Sequence, residues 1–139
     1  MISLFSLNVT ITHVCQFFIS VFLGICFLQS GADKLIDYRG NLAWLEGHFS
    51  NSILKNIVPT MLHTITLFEL TGGALCVVGV LDLLIFGGNK LIFYGFVINA
   101  ISLNMLFFGQ RVSKDYEGAA VLVGYFFLTI LGILTFHWP

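Results

Sequence analysis

Apolar residues fall into four long runs separated by short polar intervals. The first runs from about His13 to Leu35, the second from about Thr60 to Leu84, the third from about Lys90 to Gly109 and the fourth from about Ala119 to Phe136. A membrane-crossing helix needs roughly 20 mostly apolar residues, and each run meets that length. Four such helices with short links predict an all-α, four-helix up-down membrane bundle, a single domain over residues 1–139. The longest interval, "DYRGNLAWLEGHFSNSILKNIVP", has its own pattern: Leu42, Leu45, Phe49 and Ile53 recur at helical spacing with Trp44 beside them. This predicts a short amphipathic helix in the headgroup region between the first two spans. Pro59 suits the first turn of the second span, where a missing N–H costs nothing. "GGNK" at 87–90 reads as a tight turn.

Composition supports the same picture. The 139 residues are 58% hydrophobic and 9% charged, with a mean hydropathy of +0.96. A soluble domain carries roughly 25% charged residues, and a chain this small has too few charges to face water on all sides. A net charge of −1 excludes a nucleic-acid partner, which needs basic patches, and leaves membrane lipid. "MISLFSLNVTITHV" has no basic segment ahead of the first apolar run, so that run is not expected to be a cleavable signal. Lys34, Arg39 and Lys55 flank the first connection and Arg111 and Lys114 lie in the third, against Lys90 alone opposite. That excess predicts cytoplasmic first and third connections, with both termini outside. Cys15, Cys26 and Cys76 form no CxxC pair. The first two lie about 16 Å apart along one helix, too far to bridge.

Candidate chemistry starts with Glu69, about 15 Å into the second span. A carboxylate at that depth must face the bundle interior, stay protonated or find a donor. Gly72, Gly73, Cys76 and Gly79 continue its face and permit close helix approach, so Glu69 is expected to point inward. Matching stripes occur elsewhere: Gln16, Ser20, Gly24 and Gly31, interrupted by Phe27 and Leu28; Gly95, Asn99, Ser102 and Gln110; and Tyr125, Thr129 and Gly132. Two readings follow for Glu69, Gln29, Asn99 and Asn104. They hydrogen-bond one another and lock the packing, or they form an intramembrane site that carries protons or orients a ligand. The four histidines lie in different segments with no metal-ligand spacing, so no metal is expected.

Charge is concentrated at "FGQRVSKDYEGAA", residues 108–120. Of six Lys or Arg and seven Asp or Glu, four lie here: Arg111, Lys114, Asp115 and Glu117. Topology brings this turn to the end of the first span, so Asp33, Lys34, Gln110, Arg111, Lys114, Asp115 and Tyr116 are expected to form a cytoplasmic-rim network. "LGICFLQSGADKL", "LFELTGGALCVVGV" and "FGQRVSKDYEGAA", in that order, resemble the DoxX family of small four-helix bacterial membrane proteins over roughly residues 23–125. The resemblance gives weight to Gly31, Lys34, Glu69, Gly73, Gly79, Asp115, Tyr116 and Gly118. The chain departs from the family in lacking an Arg ahead of the first span. Relatives in that family include a subunit of a thiosulfate:quinone oxidoreductase and partners of redox-stress proteins. The resemblance implies a bacterial inner membrane, while small size, short exposed loops and the lack of a complete catalytic constellation point to an accessory or partner-binding subunit of a larger membrane assembly. Alternatives are a quinone-linked redox subunit with its site near Glu69, or a transporter of small solutes or protons. No cofactor is evident beyond a possible quinone.

Overall fold

The computed structural model describes the backbone of residues 2–4 and 7–137 and the side chains of residues 10–137. Met1 and Pro139, whose side of the membrane the sequence predicts, lie outside the described residues. Five helices carry the fold: α1 (Ile11–Ile36), α2 (Tyr38–His48), α3 (Val58–Phe86), α4 (Lys90–Val112) and α5 (Tyr116–Leu134). All but α2 are long and apolar enough to cross a membrane. Ahead of them the sequence pattern gave no sign of a short antiparallel hairpin, β1 (Ile2–Leu4) and β2 (Leu7–Val9), with Ile2 opposite Val9.

Local chemistry sets the helix ends. Thr10 caps α1 by accepting from the His13 N–H at 3.2 Å. Asp37 ends α1 and starts α2, where its side chain accepts from Gly40 N. Pro59 sits in the first turn of α3, and Gly87 ends that helix at φ 73°, a left-handed conformation glycine adopts without strain. Asp115 caps α5 by accepting from Gly118 N at 2.9 Å.

The interfacial helix is shorter than its apolar pattern. It stops at His48; Phe49 turns inward and is buried, while Ile53 lies in the following turn and is exposed. Ser50 and Ser52 donate to the carbonyls of Gly47 and Phe49, which competes with helix continuation. No residue of α2 itself is buried, so the helix lies over the bundle's edge.

α3 makes the most extensive packing, against α1 and α4, and α5 packs on α4 and also meets α1, which closes the bundle. The small residues of α3 set the spacing. A Cβ on Gly73 would lie 2.9 Å from Leu28 N, and one on Gly79 would lie 2.8 Å from Ile92 N. Backbones approach that closely only where a side chain is missing. Leu23, Phe27, Cys76, Ile92, Phe96 and Leu103 fill the core. Phe18, Ile25, Leu67, Ile85, Val121 and Phe127 face outward. An apolar exterior around buried polar groups is the arrangement a bilayer requires, and the protein is a multi-pass membrane protein.

Candidate functional site

The buried polar groups come from the faces the small residues mark. Gln16, Ser20, Glu69, Asn99, Ser102 and Thr129 are almost fully enclosed. Ser20 Oγ donates to Cys76 O at 2.9 Å, fastening α1 to α3. Asn99 Nδ2 donates to Cys76 Sγ at 3.3 Å, fastening α4 to the same point. Gln16 reaches the other end of the bundle, donating to Thr135 Oγ1 and accepting from Asn89 Nδ2.

Glu69 lies about 16 Å along α3 and is 1% exposed. Its partner is Lys34, whose Nζ stands 3.0 Å from Glu69 Oε1. The contact is ionic: the directed hydrogen bonds of Lys34 run to Ser30 Oγ at 2.8 Å and Ser30 O at 3.4 Å. Glu69 Oε1 therefore lies buried beside a cation without an aligned hydrogen-bond donor. Asn99 Oδ1 is the other buried side-chain atom without a partner among the described residues. Helix register explains the pairing. The approaches of Gly31 to Leu70 and of Gly73 to Leu28 bring Lys34 level with residue 67 of α3, within one side-chain length of Glu69.

The other expected members of the intramembrane set are elsewhere. Gln29 is exposed and donates to Asp33 Oδ2 on its own helix. Asn104 is exposed and donates to Ala100 O one turn back. Neither reaches Glu69 or Asn99, so the structure joins Glu69 to Lys34 and Asn99 to Cys76 as separate pairs.

The rim residues share one end of the bundle and also divide into pairs. Lys34 turns inward and Asp33 turns to Gln29. Arg111 lies over the Tyr116 ring at 4.6 Å. Lys114 holds a positive φ of 62°, closing the turn into α5, and Asp115 is spent largely as the α5 cap. A Cβ on Gly118 would lie 2.6 Å from both Asp115 Oδ2 and Gln110 Nε2, side-chain ends that would have to shift.

His48 joins this rim although the sequence pattern did not single it out. Its Nε2 stands 2.9 Å from Gln110 Oε1, 2.9 Å from Ser113 Oγ and 3.8 Å from Asp115 Oδ2. Ser113 Oγ donates to Gln110 O, so an Nε2–H on His48 has two neutral acceptors. Trp44 stacks on the imidazole with ring centres 4.6 Å apart. The signal was present in the chain: His48 follows Trp44 and Leu45 at helical spacing on the face α2 turns to the bundle.

Between α2, the start of α3 and the end of α4 lies a cleft of about 630 Å³. Its walls are mostly apolar: Leu45, Phe49, Ile57, Met61, Ile65, Met105 and Phe108 among them. Ile57 and Phe108 are exposed, so the cleft opens outward at their level. Trp44, His48 and Gln110 line one end. Lys34 and Asn104 line the deep end, both level with residue 67 of α3 by register. Lys34 is the one lysine or arginine in the lining, and no aspartate or glutamate lines it. The same lysine thus lines the cleft and pairs with the buried Glu69 carboxylate.

A family model described as DoxX matches residues 16–101, a stretch that holds Lys34, Glu69 and Asn99 and ends ahead of the 108–120 turn. No curated protein and no solved structure matches the chain significantly.

Proposed function

This chain belongs to the DoxX family, and on that premise we propose that it is an accessory subunit of a larger assembly in a bacterial inner membrane, carrying an amphipathic ligand in the cleft beneath α2. One observation carries the reading: a mostly apolar cavity that opens outward and has a single ammonium, Lys34, at its deep end. Ligand sites combine this kind of apolar lining with a few fixed polar groups. A quinone is one neutral molecule of suitable shape. A carbonyl oxygen on its ring would accept from Lys34, and the rest of the molecule would run along the apolar walls toward Trp44. Such an occupant gives the assembly its redox character. The excess of cations around the first and third connections supports a cytoplasmic position for the cleft.

Binding is tested in nanodiscs through Trp44, with Trp138→Phe removing the only other tryptophan. A short-chain benzoquinone should quench Trp44 saturably, and Thr64→Phe, which fills the cleft, should abolish saturation. Quenching that stays linear with concentration and ignores Thr64→Phe would remove the cleft from the account. The accessory role predicts that mild-detergent purification retains a stoichiometric protein partner. A lone monomer with activity of its own would argue against that role.

A further inference from the structure

Resting on that ligand-cleft reading, we propose that the cleft takes an amphipathic weak acid, a long-chain carboxylate, and that each anion bound brings one proton onto Glu69. The chemistry follows from how Lys34 is shared. Among the described residues Lys34 is the only fixed charge in the cleft lining, and its counter-ion Glu69 is enclosed in protein. With the cleft empty of anions, Lys34 and Glu69 cancel. A carboxylate entering from the cleft side makes two anions for one cation in a region of low dielectric constant, where an uncompensated charge is expensive. Protonating Glu69 restores neutrality.

Glu69 is the group that accepts the proton because it has the least to lose. It is 1% exposed, and its Oε1 has no aligned hydrogen-bond donor to hold the charge. The incoming carboxylate instead pairs with Lys34, with the Asn104 side chain at the same end of the lining. The exchange balances. The carboxylic acid gives its proton to the Glu69 carboxylate, its anion pairs with Lys34, and the net charge of the site stays at zero. When the ligand is already ionised in water, the proton comes from solvent.

Other ionisable groups around the site are few. α1 presents Lys34, with Asp33 exposed and bonded to Gln29. α2 presents His48 at the opposite end of the cleft, with Asp115 3.8 Å from it at the start of α5. α4 has no Asp, Glu, Lys or Arg between Lys90 and Arg111. Cavity size also fits: at roughly 0.8 kcal/mol per buried CH₂ a chain of ten or more carbons has a strong reason to enter, and 630 Å³ holds it.

The test is calorimetric titration of dodecanoate into the full chain in zwitterionic nanodiscs, with empty nanodiscs as background and buffers of different ionisation enthalpy. The wild type should take up about one proton per dodecanoate, and its affinity should fall about tenfold per pH unit, as linkage requires for one proton. Glu69→Gln should bind dodecanoate at least as tightly with no proton uptake. The charge-free pair Lys34→Met with Glu69→Gln keeps the cleft neutral and guards against a misfolded single variant. It should lose dodecanoate at least tenfold while retaining dodecanol. His48→Gln should leave the proton count unchanged. Dodecanoate binding without proton uptake, or uptake that survives Glu69→Gln, would overturn the inference. Equal binding of dodecanol and dodecanoate, indifferent to Lys34, would overturn it too and leave the cleft as a site for neutral amphiphiles. Binding of neither would sink both readings.

Discussion

Removing Lys34 should damage the protein more than removing Glu69, although the two form one ion pair. At 3.0 Å and an effective dielectric constant of 20, their gross attraction is about 5 kcal/mol. Desolvation takes back much of that, and deleting one partner of such a pair typically costs about 3–5 kcal/mol through the charge left behind. What is left behind differs in the two cases. Lys34→Met strands a carboxylate that is 1% exposed and has no other donor among the described residues. Glu69→Gln leaves a lysine whose side chain is 16% exposed, lines the cleft and keeps Ser30 as partner. We expect about 3 kcal/mol for Lys34→Met and about 1 kcal/mol for Glu69→Gln. The double variant should cost no more than Glu69→Gln alone. Equilibrium unfolding in mixed micelles, read by helical circular dichroism over a series of denaturing-detergent fractions, measures all three. Equal costs for the single variants, or a double variant equal to their sum, would refute this account of the pair.

Other perturbations separate close packing from mere helix propensity. Gly79→Ala pushes a Cβ against the backbone of α4 and should cost about 2 kcal/mol in the same assay. Gly124→Ala meets open space and should be neutral or stabilise by up to about 1 kcal/mol. Asp115→Ala removes the cap that accepts from Gly118 N and should cost about 1 kcal/mol. His48→Ala frees α2 from Gln110 and Ser113. Amide exchange in residues 38–48 should accelerate about fivefold, the equivalent of about 1 kcal/mol, with α3 and α4 unchanged. Uniform acceleration across the bundle would show that His48 does more than hold α2.

The four spans were legible because hydrocarbon imposes a long apolar run on every crossing segment. The inward face of Glu69 was legible for a related reason: Gly72, Gly73, Cys76 and Gly79 repeat at helical spacing and are all buried. The small-and-polar stripes of α1, α4 and α5 also mark buried faces, and Phe27, read as an interruption, belongs to its stripe. Gln29 stands two residues from buried Gly31, about 200° around the helix, and Asn104 five from buried Asn99, about 140° around. Residue type drew them into the intramembrane set where angular position takes them out. The Lys34–Glu69 pair depends on the register between α1 and α3, which glycine positions fix only once the helices are docked. The cleft is less visible still, since it arises where α2 folds over the adjoining ends of α3 and α4.

The unequal lengths of the spans have a physical consequence. At 1.5 Å per residue α3 extends about 43 Å and α5 about 28 Å, while hydrocarbon is about 30 Å thick. The surplus lies at the end away from α2, because the contacts of Gly79 with Ile92 and of Gly132 with Phe96 set α5 beside the first two thirds of α3. The α2 end is where α3, α4 and α5 finish level, and the bilayer's own thickness sets how far the notch beneath α2 is submerged. A thin sheet of lipid would leave its mouth wet, and a thick one would drown it in acyl chains. Access to this protein's interior is thus tuned by the membrane as a material, with no moving part required.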